Sequence, residues 1–218
     1  MTSSTASDVI DQLAGIPPGN AIDAIRARRA QARLHGQNSY LALFEPPLPL
    51  VGEFTLPERF AVATFVAALH RQAQATAFYA DGLARDGSDR GLVDALVTEA
   101  AAVDSSGPYG RYPAGRLTLE DVPGPAWRVS DALACLLGPR LSAALVHAHL
   151  LVFHPRDAQA QDLQALLDAG WSTTDIVTLS QLVAFLAYQV RVAAGLQVLR
   201  DTPVATQAEA SASEAVQS

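Results

Sequence analysis

The chain has 218 residues, half of them hydrophobic, and its 22 acidic residues outnumber 15 basic ones to give a formal net charge of −7. This length suits one large domain or two small ones, and the apolar content excludes wholesale disorder. The negative charge argues against nucleic acid or an anionic membrane as a partner. Charged residues make up only 17% of the chain, below the roughly 25% of typical soluble proteins. We therefore expect a homo-oligomer, a dimer or a trimer of dimers, in which copies cover part of each other's surface.

Residues 1–54 are predicted to form an N-terminal helical arm. Their first ten residues lack the basic start and apolar middle of a signal peptide, so we expect a cytoplasmic protein. Helix-breaking Gly and Pro residues then divide the arm into three short helices, predicted at 8–13, 21–32 and 37–44.

A helical domain is predicted over residues 55–200, and its first helix has a clear start. Thr55 and Glu58 have the spacing of a capping box, in which each side chain accepts a hydrogen bond from the other residue's backbone N–H. The Ala-rich run that follows predicts one continuous helix over 60–83. A further helix is predicted over 91–103, with apolar residues at helical spacing.

Residues 104–128 form a long connection rich in Gly and Pro, with a short extended piece predicted at 116–119. A loop of this length is uncommon inside a compact domain. It is interpreted as a lid, as an arm that wraps a partner, or as a surface excursion.

Four helices are predicted in the second half, over 129–137, 140–153, 156–167 and 176–199. The last is apolar on most sides, which predicts a helix buried on most sides, partly by another subunit. It is long enough to span a membrane, but Arg191 near its middle would be costly in hydrocarbon. We therefore expect a core helix, and a disordered tail over 201–218.

Two stretches resemble the alkylhydroperoxidase-D (AhpD) and carboxymuconolactone decarboxylase superfamily. The first is Leu56-Pro57-Glu58-Arg59 with the apolar run 60–69. The second is 166–196, which contains Gly-Trp-Ser-Thr-Thr-Asp-Ile and ends in Arg-Val-Ala-Ala-Gly-Leu. The resemblance covers roughly 56–199 and is strongest to the peroxidase-related branch. It implies an all-α, AhpD-like helical bundle behind the N-terminal arm.

Active members of this family carry a Glu, a Cys twelve residues later, a second Cys three residues on and a His four residues after that. One thiolate attacks the peroxide, the second thiol resolves it, and Glu and His relay protons. The resemblance places Phe60, Gln72, Ala75 and Tyr79 at these four positions. None of the four can do the corresponding chemistry, so we expect no two-cysteine peroxidase reaction, no catalytic residue here, and neither cofactor nor metal.

The same helix region could still hold a small organic ligand. His70 and Tyr79 are polar groups beside an apolar helix, and Phe60, Gln72 and Ala75 complete the candidate pocket. The competing interpretation is that His70 faces solvent and that Tyr79 is a core aromatic residue.

Cys135 is the single cysteine, which excludes an internal disulfide and a Cys-rich zinc site. Its apolar helical surroundings predict a buried core residue. The alternative is a one-cysteine peroxidase, which would need an exposed thiolate near a cation such as Arg128 or Arg140.

Three histidines, His147, His149 and His154, lie close together in the sequence. Helical spacing places His147 and His149 on different faces, and metal sites need several convergent ligands. We therefore interpret all three as satisfied surface or interface residues and predict no metal site.

The sequence predicts an AhpD-like protein without cysteine peroxidase activity, which serves as a structural, regulatory or ligand-binding member of the family. The alternative is a cysteine-independent decarboxylase or isomerase acting on a small organic acid or lactone. In it, His70 and Tyr79 would act as acid and base, and Arg71 would anchor the anion.

Overall fold

The structure, a computed structural model, describes residues 8–46, 52–85, 90–107 and 109–202. Over these residues the fold is all-α, as predicted. They contain no β-strand, and Gly110 and Val122 form an isolated β-bridge. The helices are α1 Val9–Ala14, α2 Ala21–Ala27, α3 Ala30–Phe44, α4 Leu56–Leu69, α5 Ala73–Arg85, α6 Arg90–Ala102, α7 Asp131–Phe153, α8 Ala160–Asp168 and α9 Thr173–Asp201, with 3-10 helices at Arg116–Glu120 and Pro155–Asp157.

Helix α4 lies at the centre of the fold. Each of its residues from 61 to 69 is buried, because α5, α6, α7 and α9 pack around it. The predicted capping box at its start is confirmed: Glu58 Oε2 accepts from the Thr55 N–H at 2.9 Å, and Thr55 Oγ1 accepts from the Glu58 N–H at 3.4 Å. Helix α9 packs beside it but leaves some apolar residues, such as Val177 and Val198, exposed.

The predicted continuous helix over 60–83 is wrong, because the chain turns between α4 and α5. Arg71 adopts a left-handed backbone conformation with φ of 56°, which interrupts an α-helix. Its guanidinium donates to the carbonyl oxygens of Ala101 at 3.3 Å and Val103 at 2.7 Å, at the end of α6. The turn thus depends on contacts with a distant part of the chain.

Other boundaries also differ from the predictions. The expected extended piece at 116–119 is a 3-10 helix, in which the Thr118 hydroxyl donates to the Gly115 carbonyl at 2.6 Å. Helix α3 begins at residue 30 rather than 37. The predicted break at Gly138-Pro139 is confirmed as a kink within α7, with Gly138 at φ 70° and ψ 173°.

The N-terminal arm packs into the same hydrophobic core as the rest of the chain. Ile10 and Leu13 of α1 are buried, and α1 packs against α9. Buried Arg26 forms ion pairs with Asp8 at 2.7 Å and with Asp11, and these pairs tie α2 to α1. The prediction for the tail lies mostly outside the described residues, and Asp201, its first residue, is the last residue of α9.

By length and composition, α7 and α9 could each cross a membrane, since their most apolar windows have mean hydropathies of 1.4 and 1.6. The core helix of a soluble protein meets the same criterion. Helix α9 also carries two buried polar side chains, Asp175 and Gln189, that face other parts of this chain.

Candidate functional site

Tyr79, which stands where the resemblance implies a His, is fully buried in the core. Its hydroxyl donates a hydrogen bond to the side-chain oxygen of Gln189, which is also fully buried, and its ring packs against Phe44 and Phe78 with centroids 5.0 and 5.2 Å away. Burial raises the pKa of the Tyr79 phenol well above its usual value of 10.0. A phenol so placed does not exchange protons near neutral pH.

The residues at the other three positions, Phe60, Gln72 and Ala75, make only packing or backbone contacts. Ala75 is buried, and the half-buried Phe60 ring lies 5.0 Å from that of Phe44. Half-buried Gln72 starts the next helix, and its carbonyl oxygen accepts from the Thr76 N–H at 2.8 Å and the Thr76 hydroxyl at 2.9 Å. The structure therefore places no reactive group at these positions.

Phe60 does line a cavity, but on the side of the N-terminal arm. This cavity has a volume of about 420 Å³ and is also lined by Gln37, Tyr40 and Arg85. Gln72, Ala75 and Tyr79 lie outside its lining. The predicted five-residue pocket is therefore not one space in this structure.

His70 and Arg71 lie in the turn between α4 and α5. Nε2 of His70 is buried, with no hydrogen-bond partner among the described residues. Burial and, second, the nearby charge of Arg191 lower the pKa of His70 to about 4. The Arg71 guanidinium is bound to backbone carbonyls, and the Tyr79 hydroxyl is bound to Gln189. The structure therefore does not bring His70, Arg71 and Tyr79 together at one binding site.

Cys135 is exposed on the first segment of α7, so the prediction of a buried core residue is wrong. That segment lies before the kink at Gly138, and its neighbouring Leu136 is 63% exposed as well. Arg140, one of the two cations considered for activating the thiol, binds Glu58 at 3.0 Å and lies over the Trp171 ring at 4.2 Å.

The three histidines meet at one cavity, which sequence reasoning missed. It has a volume of about 350 Å³ and lies between the second segment of α7, helix α8 and Trp127. His147, His149, His154, Trp127 and Asp162 line it, and the rest of the wall consists of Ala126, Ala143, Val146, Leu150, Ala165 and Leu166. We call this space the histidine cavity.

His147 and His149 are buried, with 4% and 1% of their surface exposed, so their interpretation as satisfied surface residues is wrong. Nε2 of His147 lies 3.1 Å from the Ser180 hydroxyl oxygen. The other nitrogen of His147, Nδ1, and Nε2 of His149 are buried without a hydrogen-bond partner in the described part of the chain.

Both imidazoles are neutral at pH 7. Burial lowers the pKa of His147, although the negative charge of Asp162 acts in the opposite direction. Burial and, second, the charge of His154 lower the pKa of His149 to about 4. Burial thus favours the neutral form of both of these rings in the cavity lining.

Aromatic side chains form one wall of the cavity. The Trp127 indole stacks on the His149 ring with a centroid distance of 5.0 Å and an angle of 14° between the planes. Phe65, in the central helix, packs against Trp127 at 5.2 Å. The half-buried Trp127 thus connects the cavity to the core.

The long connection over 104–128 brings Trp127 to this wall. Its backbone is hydrogen-bonded to the end of α7, where the Tyr109 N–H donates to the Phe153 carbonyl at 2.7 Å. It is also bonded to the 3-10 helix that follows α7, where the Arg111 N–H donates to the Asp157 carboxylate at 3.1 Å. The guanidinium of Arg156 also lies 3.9 Å from the centre of the Tyr112 ring. These contacts hold the connection against the cavity end of α7.

Within the described ranges, no three His, Cys, Asp or Glu side chains are arranged to hold a metal ion. No family model matches the chain, and no curated protein matches it either. The resemblance to the AhpD-like family stays a prediction.

Proposed function

We propose that the protein is an AhpD-like helical protein that does not carry out the peroxidase reaction and instead binds a small organic molecule in the histidine cavity. The observation that carries this proposal is a space of about 350 Å³ lined by the rings of Trp127, His147 and His149 and by aliphatic side chains. Support for the loss of redox chemistry comes from Tyr79, which stands where the resemblance implies a His and is buried with its hydroxyl bound to Gln189.

The physical reason is the burial of apolar surface. The volume of the cavity is far larger than one water molecule needs and lies within the range of ligand pockets. Most of its lining is aromatic or aliphatic, so an organic molecule that fills it would bury apolar surface on binding.

The two catalytic alternatives have less support. A decarboxylase or isomerase at the α4–α5 turn would need Arg71 to hold an anion, whereas its guanidinium is bound to backbone carbonyls. A one-cysteine peroxidase would need a cation beside Cys135, and Arg140, one of the two candidate cations, is paired with Glu58.

Oligomerisation and cellular location stay part of the proposal. We propose a homo-oligomer, a dimer or a trimer of dimers, located in the cytoplasm and without a nucleic-acid or membrane partner. Exposed apolar side chains at Leu136 and Val177, 63% and 56% exposed, support an interface between copies.

The binding proposal is tested by a ligand-observed NMR screen of neutral and charged fragments against the full chain. The variant Ala165→Trp adds a large ring to the cavity lining from an exposed position of α8. The control Ala160→Trp adds the same side chain to an exposed position of that helix outside the lining. We expect fragments that bind the unsubstituted chain and Ala160→Trp but not Ala165→Trp. The proposal is overturned if no fragment binds, or if Ala165→Trp leaves binding unchanged.

A further inference from the structure

We propose that the exposed face of α9 pairs with the same face of a second copy of this chain, with the two helices antiparallel. This inference rests on the homo-oligomer of the proposed function and adds the surface that the copies share. The binding of a ligand in the histidine cavity does not depend on it. Residue spacing, charge and side-chain size along α9 each support the pairing.

The exposed residues of α9 follow a repeat of seven residues. From 174 to 198 the exposed positions are separated alternately by three and four residues, and every residue between them is buried or half-buried. This is the spacing of the a and d positions at which paired helices contact each other. We call this set of residues the α9 seam: Thr174, Val177, Gln181, Ala184, Tyr188, Arg191, Gly195 and Val198.

The composition of the seam differs from that of an ordinary solvent-exposed helix face. Such a face carries charged and polar residues, whereas Arg191 is the only charged residue of the α9 seam. Val177, Tyr188 and Val198 lie along it with 56%, 42% and 67% of their surface exposed. Large apolar side chains in line along one exposed face are typical of a protein contact surface.

The position of the single charge favours an antiparallel pair. In a parallel, in-register pair each seam residue faces its own copy, so two Arg191 guanidinium groups would meet in the contact. Like charges brought together and removed from water weaken an interface. An antiparallel pair can instead set Arg191 opposite Gln181 of the second copy, whose side-chain oxygen can accept a hydrogen bond from the guanidinium.

Side-chain sizes match in this same antiparallel register. It has its two-fold axis midway between Ala184 and Tyr188, so the large Tyr188 ring faces the small Ala184 of the second copy. It also sets Val177 opposite Gly195, which has open space around it within the described part of the chain. Large residues opposite small ones allow two helices to pack closely. A two-fold interface between identical copies requires this kind of self-complementarity.

The mass of the full chain in solution tests the pairing. Analytical ultracentrifugation compares the unsubstituted chain with Ala184→Arg, in the seam, and with the control Ala42→Arg, at an exposed position of α3. We expect the unsubstituted chain and Ala42→Arg to form the same oligomer and Ala184→Arg to have half its mass. The dissociation constant of the pair should rise at least about a hundredfold, because each copy adds a positive charge to a seam that contains no acidic residue.

Cysteine cross-linking tests the direction and the register. Val177→Cys and Gly195→Cys are introduced singly and together into the variant Cys135→Ser. The two positions lie about 27 Å apart along one helix, which is too far for a disulfide within one chain. In the antiparallel register each faces the other in the second copy. Mild oxidation should therefore give a covalent dimer from the double variant and none from either single variant.

The outcomes separate this inference from the proposed function. A monomeric unsubstituted chain overturns both the homo-oligomer and the α9 pairing, and it would mean that something other than a second copy covers the seam. An oligomer that a folded Ala184→Arg leaves intact overturns the α9 pairing alone. So does a covalent dimer from either single cysteine variant, or none from the double variant.

Thermal unfolding shows whether Ala184→Arg is folded, and the cysteine variants decide the question if it is not. The fragment screen measures ligand binding in the histidine cavity separately, so that either result can fail without the other.

Discussion

The hydroxyl of Tyr79 on α5 donates a hydrogen bond to the side-chain oxygen of Gln189 on α9, and both side chains are fully buried. The bond joins two helices whose residues are 110 positions apart in the chain. The bond uses the only polar atom of the Tyr79 side chain, at the position where the AhpD-like resemblance implies a catalytic His. In the structure, Tyr79 therefore serves as a structural contact.

Removing this hydroxyl should destabilise the protein. Tyr79→Phe leaves the Gln189 oxygen buried and unpaired, at an expected cost of about 1–3 kcal/mol in the free energy of unfolding, measured by urea denaturation. Tyr188→Phe removes a hydroxyl from a side chain that is 42% exposed, and we expect a change within about 0.5 kcal/mol.

The double variant Tyr79→Phe/Gln189→Met gives a second check. The Gln189 Nε2 atom is itself buried without a partner in the residues that the structure covers, so replacing both polar side chains should restore part of the loss. A single variant Tyr79→Phe as stable as Tyr188→Phe would contradict the role assigned to this hydrogen bond.

Two helical glycines should respond in opposite directions to substitution by Ala. A Cβ at Gly82, in α5, would overlap the Phe60 ring, so Gly82→Ala should destabilise the protein by about 1–3 kcal/mol. Gly195, in α9, has open space around it in the described part of the fold, and Gly195→Ala should stabilise by about 0.5–1 kcal/mol. Thermal and urea unfolding measure both, and a stabilising Gly82→Ala would mean that Phe60 is free to move aside.

Asp175 should make a pH-dependent contribution to stability. Burial by itself raises the pKa of its carboxyl. The opposite effect comes from three hydrogen bonds to the carboxylate, donated by the Ser172 hydroxyl at 2.7 Å and by the backbone N–H groups of Glu53 and Phe54, both at 3.1 Å. The charge of Arg140 also lowers this pKa. The net pKa lies below the usual 3.8. The charged form is therefore stabilising above that pH, and the stabilisation is lost as the pH falls through the folded-state pKa.

We expect Asp175→Asn to lower the free energy of unfolding by about 1–3 kcal/mol at pH 7, with the difference shrinking below pH 4. Urea denaturation across this range measures it. The exposed Asp168→Asn is the matched control and should change stability little at any pH. A loss in Asp175→Asn that persists undiminished at pH 3 would show that shape, rather than charge, is responsible.

His149 should make the protein sensitive to mild acid. Its pKa falls from 6.5 to about 4 on folding, first because of burial and then because of His154. The unfolded chain then binds more protons between these values, so stability is full above about pH 6.5 and declines as the pH falls toward 4.

Between pH 7 and pH 5, the free energy of unfolding should therefore fall by about 1–2 kcal/mol less in His149→Phe than in the unsubstituted chain. The upper figure is the effect of the whole pKa shift over this pH range. The exposed His35→Gln should retain the acid sensitivity of the unsubstituted chain. Equal acid sensitivity in His149→Phe would rule out His149 as its source.

A local signal predicted the start of α4. The cap at Thr55 satisfies a backbone N–H three residues away, so short spacing in the sequence is sufficient to find it. The break at Arg71 was missed because its guanidinium binds carbonyls about 30 residues away. No Gly or Pro marks that position.

Burial was harder to predict than helicity. The apolar neighbours of Cys135 suggested a core position, yet both Cys135 and Leu136 are exposed. Helical spacing put His147 and His149 on different faces, and the cavity that they share is completed by Trp127 and by α8. Such a space arises only when a loop and a second helix come together, which spacing along one helix does not report.

The rate of peroxide consumption tests the central claim most directly. The full chain is incubated with hydrogen peroxide or an alkyl hydroperoxide and excess dithiothreitol, alongside Cys135→Ser and a protein-free blank. We predict the same background rate in all three, because the positions held by Gln72, Ala75 and Tyr79 carry no thiol. Turnover by the unsubstituted chain clearly above the blank would contradict the account, whether or not it survives in Cys135→Ser.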